Sequence, residues 1–288
     1  MADLRKRLGN NAPGLFFVDA TCINCGVSRH YAPDLFGDDG DHAFVLRQPT
    51  SPEERLRAEM ALLACPVGSI GTTTRIDSSA AREAFPYELA PDIHVNGFNS
   101  RKSFGAHSYF IRSETGNWLI DSPRYTRHLV DRFEQWGGLR WIFLTHRDDV
   151  ADAHRFASRF GAERIIHARD VCAQPDAEIV VRGEERRIGH ARIIATPGHT
   201  EGHAVMLWRD AYLFTGDHFA WVQSEGRFRS FRGVCWYSWE AQIESVRKLA
   251  RYRDVSWIFP GHGMWHSVDG GAFPTVVADA VEWMESVA

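Results

Sequence analysis

The chain has 288 residues, 44% hydrophobic and 24% charged, which suits a globular protein of one large domain or two unequal ones. A net charge of -4 gives no footprint for nucleic acid, and no stretch approaches the roughly 18 uninterrupted apolar residues of a membrane helix. The basic start, Met1 to Gly14, has no apolar run behind it, so it does not read as a secretory signal and the expected location is cytoplasmic. Five cysteines, an odd number, argue against a disulfide framework. Cys22, Cys25 and Cys65 fall together in the first quarter; Cys172 and Cys235 read as isolated buried thiols.

In chain order, "GLFFVDATC" reads as a strand entering a loop. "SPEERLRAEMALLAC" reads as a helix: Ser51 suits the cap, Pro52 the first position, and Glu53 and Glu54 the positive end, with Leu56, Met60 and Leu63 at helical spacing. "CPVGSIGT" closes a small unit at about residue 75, and residues 76–93, rich in Ser and Ala with two prolines, read as a linker. From residue 94 strands and helices alternate. "SYFIRSETGNWLID" is a hairpin, "RYTRHLVDRFEQWGG" a glycine-closed helix, and "RWIFLT" a buried strand. "VADAHRFASRFGA" is a second glycine-closed helix and "ERIIHA" a strand. Three more strands, "ARIIATPGH", "AVMLWR" and "AYLFTGD", precede a helix capped by Ser238; then come the strand "VSWIFPGHG" and a terminal helix from Phe273.

Three strands run into a histidine: "WIFLT" into His146, "IIATPG" into His199 and "SWIFPG" into His262, while "AYLFTG" runs into Asp217. Ligand-type residues at the tips of consecutive apolar strands converge on one edge of a sheet, where α/β folds build their sites. Histidine and carboxylate together suit Zn, Fe or Mn. The glycines before His199, Asp217 and His262 permit turns that aim a short side chain inward.

On these four stretches the sequence resembles the metallo-β-lactamase superfamily. "TPGHTEGH" resembles its histidine loop, "FTGDH" its bridging aspartate and "FPGHG" its final histidine, in the family's order, over roughly residues 94–288. The resemblance implies an αββα sandwich, one or two divalent metals, His146, His199 and His262 as ligands, and Asp217 as a bridge. "LTHRDD" stands where the family has histidine-x-histidine-x-aspartate-histidine, and departs from it. One alignment puts Asp148 in place of the second histidine with Asp152 as the signature aspartate. Another makes Asp148 that aspartate and Asp149 the replacement for the last histidine. Both keep His146 and Asp148; Asp152 and His154 stand in reserve. Asp148 and Asp149 also suit a helix cap. The extra carboxylate hardens the ligand set and shifts preference toward iron or manganese; flavodiiron proteins of the superfamily carry a similar replacement. Asp148 or Asp149 is the expected catalytic base. His203 reads as a structural partner of the ligands, His218 as facing either pocket or core, and His266 as surface.

"DATCINCGVSRHYAPDLF" with "ACPVGSI" resembles a single-cluster bacterial ferredoxin, a small α+β domain whose C-x2-C-x2-C and distant C-P hold an iron–sulfur cluster. Cys22, Cys25 and Cys65 match; Ser28 stands at the third position, a harder and poorer ligand. Three outcomes stay open: a cluster on three cysteines with Ser28 or water on the fourth iron, a three-iron cluster, or a domain that keeps the fold without the cluster.

The expected architecture is therefore a ferredoxin-like domain (1–75), a linker (76–93) and a metallo-β-lactamase-like α/β domain (94–288). The leading function is a metal-dependent hydrolase of an ester, thioester, lactone or phosphoester. The alternatives are an iron oxidoreductase fed by the N-terminal cluster, and a non-catalytic binding protein. The aromatic stretch from His218 to Trp239 is expected to wall the pocket, with Arg227, Arg229 and Arg232 pointing to an anionic small-molecule substrate. Oligomeric state stays open.

Overall fold

The structure, a computed structural model, describes residues 2–288. The N-terminal unit comprises β1 (Phe16–Val18), α1 (Val27–Tyr31), β2 (Phe36–Asp38), β3 (Ala43–Val45), α2 (Pro52–Ala64) and β4 (Ile70–Thr72). β1 pairs antiparallel with β4, and β2 with β3. α2 starts where the sequence predicts: Ser51 Oγ accepts the Glu54 N–H at 3.1 Å, and Pro52 opens the first turn. Its Met60 is buried, and Leu56 and Leu63 pack against the same core.

Residues 76–93 are not a linker throughout. They contain α3 (Ser79–Glu83) and β5 (Tyr87–Ala90), and Ile93 opens β6 (Ile93–Val95). β5 pairs antiparallel with β6 and extends a sheet. The segment's Ser, Ala and Pro content hides an edge strand, because such a strand buries little and shows no apolar run.

The chain continues through β7 (Tyr109–Ile111), β8 (Trp118–Ile120), α4 (Arg127–Gln135), β9 (Trp141–Phe143), α5 (Ala153–Phe160), β10 (Glu163–His167) and β11 (Ile179–Val181). β5 to β11 form a seven-stranded sheet in sequence order, antiparallel as far as β8 and parallel from there. The change falls where α4 and α5 supply the crossovers that parallel strands need. Next come β12 (Glu185–Ile188), β13 (Ala191–Ala195), β14 (Ala204–Trp208), β15 (Tyr212–Gly216), the β16 (Ala220–Val222) and β17 (Arg227–Arg229) hairpin, α6 (Trp239–Leu249), β18 (Trp257–Pro260), β19 (His266–Ser267) and α7 (Phe273–Ser286). The second sheet runs β12-β13-β14-β15-β18-β19, with β15 and β18 parallel.

The two sheets pack face to face. Tyr109 of the first meets Phe214 and Phe259 of the second at 5.4 Å between centroids, and Trp118 meets Trp208 at 5.9 Å. α4 covers the outer face of the first sheet, Phe133 stacking on Phe110 at 4.7 Å. α6 and α7 cover the second, where Ile243, Val246, Val277 and Met284 join Val205, Leu213 and Ile258 in a separate core. The result is the four-layer αββα sandwich expected. No helix among the described residues is long and apolar enough to cross a membrane.

The N-terminal unit docks on this sandwich through aromatic rings. Tyr31 packs edge-on against Phe85 and Trp265, and His30 Nδ1 lies 2.7 Å from His107 Nε2. Burial pushes the His30 imidazole down to about 3, so it is neutral at this seam.

Candidate metal centre

Four loops at the ends of β9, β13, β15 and β18 meet at one edge of the sandwich. The first is built from beneath. Asp121, just past β8 at φ +53°, accepts the Thr145 N–H at 2.8 Å and the Thr145 hydroxyl at 3.0 Å. Thr145 Oγ1 also lies 2.9 Å from His146 Nδ1. This engages Nδ1 within the protein and leaves His146 Nε2 without a partner at the centre. Burial pushes His146 down to about 4, so the ring is neutral, the form a metal ligand must take.

Asp217 Oδ2 lies 3.7 Å from His146 Nε2, 3.6 Å from His199 Nε2 and 3.7 Å from His262 Nε2. Asp148 Oδ2 lies 3.6 Å from His199 Nε2 and 4.0 Å from His146 Nε2. The donor atoms of His146, Asp148 and His199 all fall within 4.8 Å of one another, as do those of His146, Asp149 and Asp217. None of these distances is a good hydrogen bond, yet His146 Nε2, both ring nitrogens of His199, Asp149 Oδ2 and Asp217 Oδ1 are buried without a partner. Burial, together with the charges of Asp217, Asp121 and Asp148, pushes Asp149 well above the usual carboxylate range. Crowded, partnerless nitrogens and carboxylates are the environment a cation relieves, and the donor set fits divalent metal.

The structure thus brings His146, Asp148, Asp149, His199, Asp217 and His262 together, and neither sequence alignment holds as a whole. Asp148 sits with His146 and His199, where the first alignment puts it. Asp152 does not join it: its carboxylate accepts from Lys102 Nζ at 2.7 Å and from the Tyr125 N–H at 2.9 Å. Asp149 sits on the Asp217 side, as the second alignment requires. His154 is exposed on α5. Neither Asp148 nor Asp149 caps that helix, whose N-cap is Asp152. His203 lies behind the ligand set, its Nδ1 2.9 Å from Thr196 Oγ1, and stacks on His218 at 4.5 Å. His266 stacks on Trp221 at 3.8 Å, away from the carboxylates.

Glycines set the loops. Gly198 has φ +157°, and a Cβ there would lie 2.4 Å from Gln242 Cβ and 2.5 Å from Gln242 Cα on α6. Gly198→Ala is therefore expected to push the His199 loop off α6, costing about 1–3 kcal/mol and most of the bound metal. Thermal melts and metal content of the purified variant check this.

A cavity of about 1230 Å³ opens over the centre. Trp221, Phe231, Val234 and Trp236 line it, as the aromatic stretch suggested, and Phe104 joins them. The three expected arginines do not. Arg229 is buried against Glu225 and Trp283, Arg232 binds the Val287 carbonyl, and Arg227 lines a different cavity. Period-two alternation puts Arg227 and Arg229 on the same face of β17, and both line the second cavity instead. The cations that do line the cavity are Arg29, Lys102 and Arg147. Arg29, beside Ser28 in the cysteine motif, and Lys102 lie far in sequence from the stretches that build the metal centre, and no local signal ties them to it.

Cys22, Cys25, Ser28 and Cys65 line one small cavity in the N-terminal unit. Cys22 Sγ accepts the Asn24 and Ala43 N–H groups at 3.4 Å, and Cys65 Sγ accepts the Ser69 N–H at 3.3 Å. Amides aimed at sulfur stabilise thiolate ligands, so the residues fit a cluster held by three cysteines beside Ser28. Burial pushes the Cys25 thiol up to about 12, which keeps it protonated unless a metal takes the sulfur. Cys172, expected to be buried, is exposed, and Cys235 is half-buried.

Residues 18–72 match the family described as the 4Fe-4S single cluster domain of Ferredoxin I. A hydroxyacylglutathione hydrolase of Acidiphilium cryptum is 38% identical over 111 residues, 36% of this chain and 44% of that protein. One from Cereibacter sphaeroides is 31% identical over 150 residues, 50% of this chain and 56% of that protein. The matches thus span about half the length of these relatives. Among solved structures, the DIM-1 metallo-β-lactamase superposes with a TM-score of 0.56 at 18% identity, over 70% of this chain and 96% of its own, a likeness of fold. The sandwich thus has the fold of the metallo-β-lactamase structures, and the unit in front of it matches a single-cluster ferredoxin domain.

Proposed function

We propose that the protein is a metal-dependent hydrolase of an ester, thioester, lactone or phosphoester. The observation that carries this reading is Asp217 Oδ2, set 3.6–3.7 Å from the Nε2 atoms of three histidines on three loops. In this reading His146, Asp148 and His199 would hold one divalent metal, Asp149 and His262 would hold a second, and Asp217 would serve both. Bound metal supplies Lewis acidity and brings the pKa of a water toward neutrality. Three carboxylates against three histidines make a hard donor set, which favours iron or manganese over zinc. In this reading Asp148 would take a proton from the attacking water; in support, its side chain lines the cavity and is 45% exposed, and His199 beside it holds its carboxyl below the usual range, hence ionised. The relatives, named as hydrolases, support the same reading.

One observation favours a second reading, an iron oxidoreductase fed by the N-terminal cluster. A Cβ on Gly105 would lie 3.0 Å from Cys25 Cβ, so the cysteine cavity abuts the loop whose His107 N–H bonds the Gly261 carbonyl beside His262.

The test is elemental analysis of protein purified without air, for iron, zinc, manganese and acid-labile sulfide, followed by assay on one substrate of each ester class. We expect metal beyond what sulfide accounts for, and hydrolysis lost on chelation and restored by metal. Full metal loading with no turnover in any class would overturn the hydrolase reading. Iron matched by sulfide, with redox turnover instead, would favour the second.

A further inference from the structure

The cavity over the metal centre is not built by the sandwich alone. Asn24, Gly26, Arg29 and Pro33 of the ferredoxin-like unit form part of its wall, facing Phe104 and Trp236. Three cations line it, and they are not equivalent. Lys102 is spent on Asp152, its ammonium 2.7 Å from the carboxylate. Arg147 Nε lies 3.9 Å from Asp148, a candidate ligand, and its charge is tied to the centre. Arg29 is held in one orientation by two neighbours that also line the cavity: Nη1 donates to Asn24 Oδ1 at 2.9 Å, Nη2 meets Asp38 Oδ2 at 2.8 Å, and Asn24 Nδ2 closes the triangle on Asp38 Oδ1 at 2.9 Å. A guanidinium has five N–H donors in a rigid fork. Two are used by the brace, and the side chain keeps 25% of its surface open. A fork fixed in one orientation, with donors to spare, is pre-organised for an anion.

We propose that Arg29 binds the anionic group of the substrate, so that the metal centre cleaves a molecule clasped between the two domains, its charged end on the ferredoxin-like unit and its apolar part against Phe104 and Trp236. Both rings are more than half exposed at the cavity rim, where an apolar ligand would cover them. The proposal rests on the reading of this cavity as the substrate site, and it assigns the first domain a part in specificity that does not require a cluster.

The test reads binding and needs no turnover, so it stands apart from the hydrolase reading. Anilinonaphthalene sulfonate, an apolar anion, and phenylnaphthylamine, its uncharged counterpart, are titrated by fluorescence into the metal-loaded full chain. Arg29→Ala is expected to weaken the sulfonate about tenfold and to leave the uncharged probe within about twofold. Arg29→Met keeps the aliphatic stem, guards against a collapsed wall, and is expected to behave alike. Arg227→Ala, outside the cavity, is expected to change neither. Sulfonate binding within about twofold of the parent in both Arg29 variants overturns the proposal, and so does an equal loss in Arg227→Ala.

Discussion

Replacing Asp217 with asparagine is expected to cut metal-dependent turnover by at least about a hundredfold and to lower metal content, with the fold intact. Losing a partner that only orients a ligand costs about 10–100-fold in metal affinity or activity, and Asp217 stands closer, within 3.7 Å of three imidazoles. Burial alone would raise its carboxyl; His262, His146 and His199 more than offset that and hold it below the usual range, so the group is an anion. Asparagine keeps the shape and loses the charge that would balance the two cations of the proposed centre. The measurements are kcat/KM, metal per chain and circular dichroism on the same preparation. Turnover within tenfold of the parent, with metal retained, would remove Asp217 from the role of shared ligand.

Ser28→Cys is expected to have the second largest effect. Ser28 is buried in the first turn of α1 and lines the cavity that Cys22, Cys25 and Cys65 share. Sulfur in place of oxygen completes four thiolates, the ligand count of a four-iron cluster. Reconstitution without air is expected to leave the parent substoichiometric, and to give the variant about four irons and four sulfides per chain. Electron paramagnetic resonance and sulfide analysis read the difference. If neither protein holds sulfide, the cavity is a vestige whatever its sequence; if the parent already holds four, three cysteines suffice and the prediction fails.

The sandwich was legible in the sequence because buried strands and capped helices write strong local signals. Ser51 and Ser238 cap their helices as read, and Gly161 ends α5 at φ +64°. His199, Asp217 and His262 were legible for a related reason: each follows a short apolar strand and a glycine, and strand ends in one sheet must converge. The stretch after His146 was not. Whether Asp148, Asp149 or Asp152 faces the centre depends on how the loop turns between β9 and α5, and Lys102 settles Asp152 from fifty residues away. Arg29's place in the cavity wall was not legible because it comes from the docking of one unit on another. Arg227, Arg229 and Arg232 misled because proximity in sequence to an aromatic run says nothing about which side of a hairpin a residue takes.

β5 is more than a connection between the two units. It belongs by position to the stretch that joins them, yet it is the outermost strand of the larger sheet, paired with β6 through Tyr87 and Val95. A sandwich cut free at residue 94 would expose the backbone of β6 as an open ladder, a template for other chains. The connecting stretch therefore covers the sheet edge at β6, as a guard rail against self-association.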